Sequence, residues 1–329
     1  MESPFPKSSS RAGDGRIVAT VLPTGASGLE AMTYQYPLKL ISPSPLASQK
    51  SVLVFLLSYG GGLVGGDSIK LAIHVLRGSR LSLVTQGHTK IFKSASPSIV
   101  TSQTMDIRLE DEAALCLLPD PVQPFKDSVY VQSQVFKCSE GSSVCLLDWV
   151  THGRSARGED WSFVSWTGRN EVWLCGLDDP GKDRLLVRDV VKLSKTDTAA
   201  RGQPLHKTMH NMAVFGTLIL RGAAMKPVGN FFISEFSDLP RLGARDFRSK
   251  EDQQEEEQSK TPFERWRAGR LRSERAQGVI WSAARVRGCV IVKFGARTVE
   301  AGREWIGSML IQEGTVGNYF GEQALMCVR

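Results

Sequence analysis

The chain is poor in the residues that small-molecule catalysis and metal storage usually depend on. It has five histidines (His74, His88, His152, His206 and His210), and its six cysteines form no Cys-x-x-Cys pair, which excludes a zinc knuckle and a thioredoxin-like site. It contains no Gly-x-Ser-x-Gly elbow, no His-Glu-x-x-His and no Gly-Lys-Ser/Thr, so the common hydrolase, metalloprotease and Walker signatures are absent. No apolar run could span a bilayer; Val52–Leu57, the strongest near the start, is far too short. Met1–Arg11 is polar, rich in Ser and Pro, and has no apolar signal core, and no Asn-x-Ser/Thr site occurs. These absences point to a cytoplasmic protein without a membrane partner. Cys116, Cys145, Cys175 and Cys289 sit among aliphatic residues and read as small buried hydrophobes. Reduced thiols are therefore expected, although the even count also allows three disulfides.

What is present describes a globular protein. The 329 residues are 41% apolar and 23% charged, enough for one large core or two modest ones. The 31 glycines favour a turn-rich fold over a helical bundle. The net charge is +7, and residues 241–297 carry 14 Lys/Arg against 8 Asp/Glu. Such an excess suits an acidic partner or a solvated face. A nucleic-acid-binding β-rich protein is the alternative, but no recognition module supports it.

Along the chain, residues 1–15 read as a flexible tail and 16–329 as a single domain. Short strand-like runs are predicted at Ile17–Leu22, Ser51–Tyr59, Ile69–Val75, Arg80–Thr85, Ile91-Phe92, Met105–Leu109, Ala113–Leu118, Val129–Phe136, Val144–Val150, Phe163–Trp166, Asn170–Cys175 and Leu185–Val190, with an edge-like piece at Tyr36–Ile41. The fold class is mainly β. Two helices are predicted, one within 204–219, where Val214–Leu220 reads equally as a strand, and one at Val299–Leu310, despite Gly302 and Gly307. The acidic, Gln-rich stretch 248–262 reads as a disordered insertion or a charged surface helix.

Gly60-Gly61-Gly62-Leu63-Val64-Gly65 matches Gly-x-Gly-x-x-Gly, but it opens a strand and not a helix, and no ribose-binding acid follows. A glycine turn is the simpler account. His206 and His210 would share a helix face and could hold a metal, but no third ligand is apparent. Two polar stretches stand out: Thr85-Gln-Gly-His-Thr-Lys90, and His152 to Trp161, where Arg154 and Arg157 can pair with Glu159 and Asp160. A β-rich enzyme could use such loops, but a nucleophile–base signature is missing.

These stretches resemble the UreD (UreH) family of urease accessory proteins. The matching segments are Leu57 to Asp67, Thr85 to Phe92, Leu118-Pro-Asp-Pro-Val-Gln-Pro-Phe125 with Tyr130 and Gln132 beyond it, Gly153-Arg-Ser-Ala-Arg-Gly-Glu159, and Phe215 to Leu220. They occur in family order across residues 30 to 329, and the long loops resemble a fungal member.

The resemblance implies an irregular, β-helix-like stack of strands with a small helical element near the C-terminus. It implies a non-enzymatic scaffold that binds apo-urease and a UreF-type accessory protein, with a UreG-type GTPase joining through the complex. An internal tunnel would conduct transient Ni²⁺, with no tightly bound cofactor. The acidic tunnel positions fall on Asp67, in a Gly65-Gly66-Asp context, and Glu159. Asp67 could instead cap a turn, and Glu159 could simply pair with Arg154 or Arg157. Thr85 and Lys90 match a family motif. Trp305, Ile306 and Met309 are candidate partner contacts or, alternatively, core residues, and arginines in 265–275 could meet an acidic partner.

Overall fold

The computed structural model describes residues 11–45, 49–176, 183–196, 203–239 and 260–329. Strands β1 (Asp14–Val21), β2 (Ser27–Tyr34), β5 (Ser68–Val75), β8 (Thr101–Leu109), β11 (Val129–Cys138), β13 (Ser165–Leu174) and β14 (Arg184–Ser194) form one sheet, ordered β14-β13-β11-β8-β5-β1-β2. Strands β3 (Leu38–Ile41), β4 (Val52–Ser58), β6 (Arg80–Val84), β9 (Ala114–Leu117), β12 (Ser143–Thr151), β15 (Val214–Arg221), β16 (Ile280–Val286) and β17 (Cys289–Ala296) form the second, ordered β16-β17-β15-β12-β9-β6-β4-β3. Two short strands, β7 (Thr89–Ile91) and β10 (Val122–Pro124), pair with each other, and β10 pairs with β12.

From β4 to β13 the chain steps back and forth between the sheets. Within the first sheet β5, β8, β11 and β13 are parallel neighbours, and within the second β4, β6, β9 and β12 are. Parallel strands need a crossover, and here each crossover is a strand of the opposite sheet. The result is the expected β-helix-like stack.

Burial follows from this layering. In β5, Ile69, Leu71, Ile73 and Val75 face inward while Lys70 and Ala72 face solvent. They meet Val54, Leu83, Leu117 and Leu146 of the second sheet in one core. The second sheet is covered again on its far side, where Cys116, Leu147, Trp149, Leu218 and Val292 lie beneath helices. All nine residues of β12 are consequently buried, which is why its sequence runs largely apolar, Asp148 apart, without alternation.

The helices are α1 (Leu205–Thr208), α2 (Lys226–Ser237), α3 (Pro262–Gln277), α4 (Val299–Glu313) and α5 (Thr315–Phe320). Helix α4 forms despite its glycines because contact requires them. A Cβ on Gly307 would lie 1.8 Å from the Val328 carbonyl oxygen, and one on Gly302 would lie 2.8 Å from Val214 Cγ1. Backbone and strand approach too closely for any side chain there.

Several sequence expectations change. The 204–219 region divides into the four-residue α1 and strand β15, so the strand alternative holds for Val214–Leu220. Asp14 and Gly15, assigned to the tail, open β1. Residues 1–10 and most of the 248–262 stretch lie outside the described residues. Helix α3 was not anticipated, although Thr261 and Glu264 form a reciprocal capping box, Pro262 follows the cap and Gly278 closes the C-terminus. Its arginines are partly spent inside the protein. Arg267 and Arg270 both bind Glu235 of α2, and Arg270 also pairs with Glu274. Glu274 in turn accepts from Trp281 Nε1 at 3.1 Å and Trp305 Nε1 at 2.8 Å. All six cysteines are free thiols. No helix among the described residues is long and apolar enough to cross a membrane.

Candidate functional site

The polar stretches of the sequence gather at one place. After β4, Gly60 and Gly61 take positive φ of 69° and 74°, turning the chain so that Leu63 bridges Ile91 of β7. Leu63 N donates to Lys90 O at 2.8 Å and Phe92 N to Leu63 O at 2.9 Å. Strand β7 lies along β10, which brings Phe92 and Phe125 edge to face at 5.2 Å. Arg154 stacks on the Phe125 ring at 3.8 Å and binds Glu159, its backbone N–H reaching Oε2 and its Nε reaching Oε1, each at 3.0 Å. The segments around residues 60–67, 89–92, 122–125 and 153–159 thus form one layered patch.

Asp67, Glu159, Arg157 and Lys90 have definite places in it. Asp67 is half-buried, and its Oδ2 accepts from Val64 N at 2.9 Å, closing the turn that holds exposed Gly65 and Gly66. Glu159 is buried. Burial pushes its carboxyl up, but hydrogen bonds from Arg154 and from the Lys126 backbone outweigh this and hold it below the ordinary value. Arg157 is exposed at the end of a short 3₁₀ turn, and Lys90 is exposed on β7. His206 is the second residue of α1, whereas His210 lies beyond it with φ of 49°, so the two do not share a helix face. Trp305, Ile306 and Met309 lie on the inner face of α4, their exposures 4%, 0% and 0%, so their surface is spent on the protein's own core and not presented to a partner.

Thr85 points inward. Its Oγ1 donates to Asp120 Oδ2 at 3.0 Å and accepts from Asp120 N at 2.7 Å. Asp120 also accepts from Gly87 N at 2.9 Å and pairs with Arg303 of α4 at 2.9 Å. Beside them lies a small interior cavity of about 30 Å³, room for about one water, with Thr85, Gln103, Gln132, Gln134, Asp120 and Asp148 on its wall. Leu56, Thr85 and Thr89 also border an open cavity of about 300 Å³ that reaches Lys39, Ser58, Tyr59 and His88. Burial lowers the pKa of His88.

Asp148 is the residue that sequence reading missed. It sits on β12 among Leu146, Leu147, Trp149 and Val150, and its carboxylate accepts from Gln132 Nε2 at 2.9 Å and Asn170 Nδ2 at 2.7 Å. Burial pushes its pKa up to about 6 even though both hydrogen bonds oppose this. It forms no ion pair among the described residues; Lys293, a cation that acts on it, is itself bound to Asp189 at 2.6 Å. Gln134 Oε1 and Asn170 Oδ1 are buried without a hydrogen-bond partner.

Polar side chains continue across the second sheet from there. Asp148 stands opposite Thr217 in the β12–β15 ladder, and Thr217 opposite Lys293 in the β15–β17 ladder. Lys293 Nζ reaches Thr217 Oγ1 at 3.4 Å and borders a second open groove of about 430 Å³, with Met209, Met212, Phe215 and Ile280. A polar row therefore leads from the small interior cavity at Asp148 toward the groove at Lys293. No three His, Cys, Asp or Glu side chains among the described residues come together as a metal cage.

The structure is that of a coiled two-sheet scaffold, helix-capped on one side, with acceptors and, among the described residues, the carboxylate of Asp148 without an ion pair along its interior. A family model described as "UreD urease accessory protein" matches residues 12–324. The chain is 33% identical over 276 residues to an "Uncharacterized urease accessory protein ureD-like" of Schizosaccharomyces pombe, covering 84% of this chain and 86% of that one. It is 30% identical over 336 residues to "Urease accessory protein 4" of Cryptococcus neoformans, covering 92% and 91%. A "Urease accessory protein UreD" of Anaeromyxobacter is 28% identical over 308 residues, covering 93% and 87%. The chain belongs to the UreD family of urease accessory proteins, and its general role is in urease maturation.

Proposed function

We propose that this protein is a non-enzymatic scaffold of urease maturation that binds apo-urease and a UreF-type accessory protein, receives Ni²⁺ from a UreG-type GTPase in the same complex, and passes the ion inward along the polar row. The observation that carries this reading is Asp148, a buried carboxylate with neutral donors, no ion-pair partner, and unpartnered amide oxygens of Gln134 and Asn170 buried nearby. Such a carboxylate costs stability unless a cation visits it. Ni²⁺ takes oxygen and nitrogen ligands, and sparse acceptors touch an ion briefly where a complete cage would retain it. Asp120 is already neutralised by Arg303, which leaves Asp148 as the principal stop.

Asp67 and Glu159 enter the proposal as outer positions of the passage, beside the turn and the Arg154 pair. The yeast relatives and the long acidic stretch at 248–262 support a fungal origin.

The test is a reconstitution of apo-urease with the F-type and G-type accessory proteins, GTP, bicarbonate and Ni²⁺. It compares wild-type chain, no chain, Asp67→Ala and Glu159→Ala, with assembly followed by size exclusion. The scaffold reading expects activation only when the chain is present. Equal urease activity without the chain would refute it, and full activity of both carboxylate variants would remove Asp67 and Glu159 from the passage.

A further inference from the structure

At the end of β15, Arg221 and Gly222 border two open cavities of about 230 and 300 Å³. Arg184 and Arg287 line the first together with Glu140; Lys226 and Arg285 line the second, which has no carboxylate. Among the described residues, five basic side chains and one acid therefore line these two cavities, which share Arg221, Gly222 and Gly288. None of these residues belongs to the polar row of the interior.

Arg221 is the unusual member. It is 8% exposed, and its guanidinium is held only by neutral acceptors, Nη1 donating to Ser142 O at 2.8 Å and Ser142 Oγ at 3.0 Å, and Nη2 to Glu140 O at 3.4 Å. The neighbouring arginines are arranged in the same way. Arg285 Nη2 donates to Asn230 Oδ1 at 2.6 Å and Arg287 Nη1 to Leu185 O at 2.9 Å. Neither Arg221, Arg285, Arg287 nor Lys226 forms an ion pair among the described residues. A buried positive charge without a counter-charge is unfavourable. Here backbone and amide acceptors fix the guanidinium groups in position and leave their charge unspent. Guanidinium forks match the oxygens of an oxyanion, and the three cations that line the second cavity, Arg221, Arg285 and Lys226, match more than a single negative charge. Lys226 also opens α2, whose dipole favours an anion at that end.

We infer that this cleft binds a doubly charged oxyanion of the phosphate class, either free phosphate or a phosphomonoester. The affinity depends on Arg285 and Lys226 at the rim and on Arg221 at the base.

The full-length chain is titrated calorimetrically with inorganic phosphate, and separately with O-phosphoserine, at constant ionic strength in chloride. A double variant, Arg285→Gln with Lys226→Gln, is compared, because both positions are exposed and neither belongs to the core. The expected result is saturable binding of one anion by wild type, weakened about tenfold or more in the double variant. Tighter binding of O-phosphoserine would assign the site to phosphomonoesters, and tighter binding of phosphate to the free ion. Binding no greater than the chloride control, or equal affinity in wild type and double variant, overturns the inference. Near-ultraviolet circular dichroism of both proteins confirms that a loss reflects the cleft and not unfolding.

Discussion

Replacing Asp148 with Asn separates its burial from its charge. The carboxyl titrates at about 6 in the folded protein against an ordinary value of 3.8. The folded state therefore holds a proton that the unfolded state has released between those pH values. Stability is then highest, for this group, below its ordinary pKa and falls as pH rises through about 6. The difference corresponds to roughly 3 kcal/mol lost by pH 7.5. Asn has no charge to desolvate. Its amide can accept from Gln132, and rotation of the Asn170 side chain would turn the unpartnered Asn170 Oδ1 toward the new N–H group. Imperfect hydrogen bonding would subtract about 1 kcal/mol from the gain. Urea unfolding of wild type and Asp148→Asn at several pH values isolates this group, since other carboxylates cancel in the comparison. The variant should be the more stable by about 2 kcal/mol at pH 7.5, with the advantage shrinking toward pH 4. A variant less stable than wild type at pH 7.5 would refute the reasoning, because Asp148 would then be a compensated charge.

Three other substitutions test the framework. Gly307→Ala should lower stability by about 1–3 kcal/mol in urea unfolding, because the added methyl would meet the Val328 carbonyl. Glu274→Ala should cost about 3–5 kcal/mol, since it removes a partner of buried Arg270 and of two indole N–H groups; thermal unfolding together with tryptophan fluorescence would register both effects. Thr261→Ala should cost about 1 kcal/mol by opening the capping box, read as lost protection of the first turn of α3 in hydrogen exchange.

Strands such as β5 were legible because their inward and outward residues alternate, as at Ile69, Leu71, Ile73 and Val75, and because glycine turns separate them, whereas β2, β16 and β17 were not anticipated. Helix α3 was harder to read. Its helical face is polar, and it is anchored by Arg270 and Glu235 where a sequence pattern would show apolar residues. Its start was written nonetheless in Thr261, Pro262 and Glu264. Trp305, Ile306 and Met309 show an ambiguity of another kind, since a large apolar face reads alike whether it meets a partner or the protein's own sheet. Asp148 lay hidden because a strand covered on both sides has no polar face against which one aspartate stands out. The signal was an acid within an apolar run, together with Gln132 and Gln134 on the same side of β11. Which neighbours such an acid meets depends on strand register between distant segments, and that is settled only by folding.

The most direct measurement of the central claim is urease activation by Asp148→Asn in the reconstituted mixture, with complex assembly measured on the same samples. The account predicts normal assembly, stability at least equal to wild type, and a fall in activation of tenfold or more, on the order expected when an ion loses one charged contact along its path. Wild-type activation by an assembled Asp148→Asn complex would contradict it and leave the chain as a scaffold that the ion does not traverse at this residue.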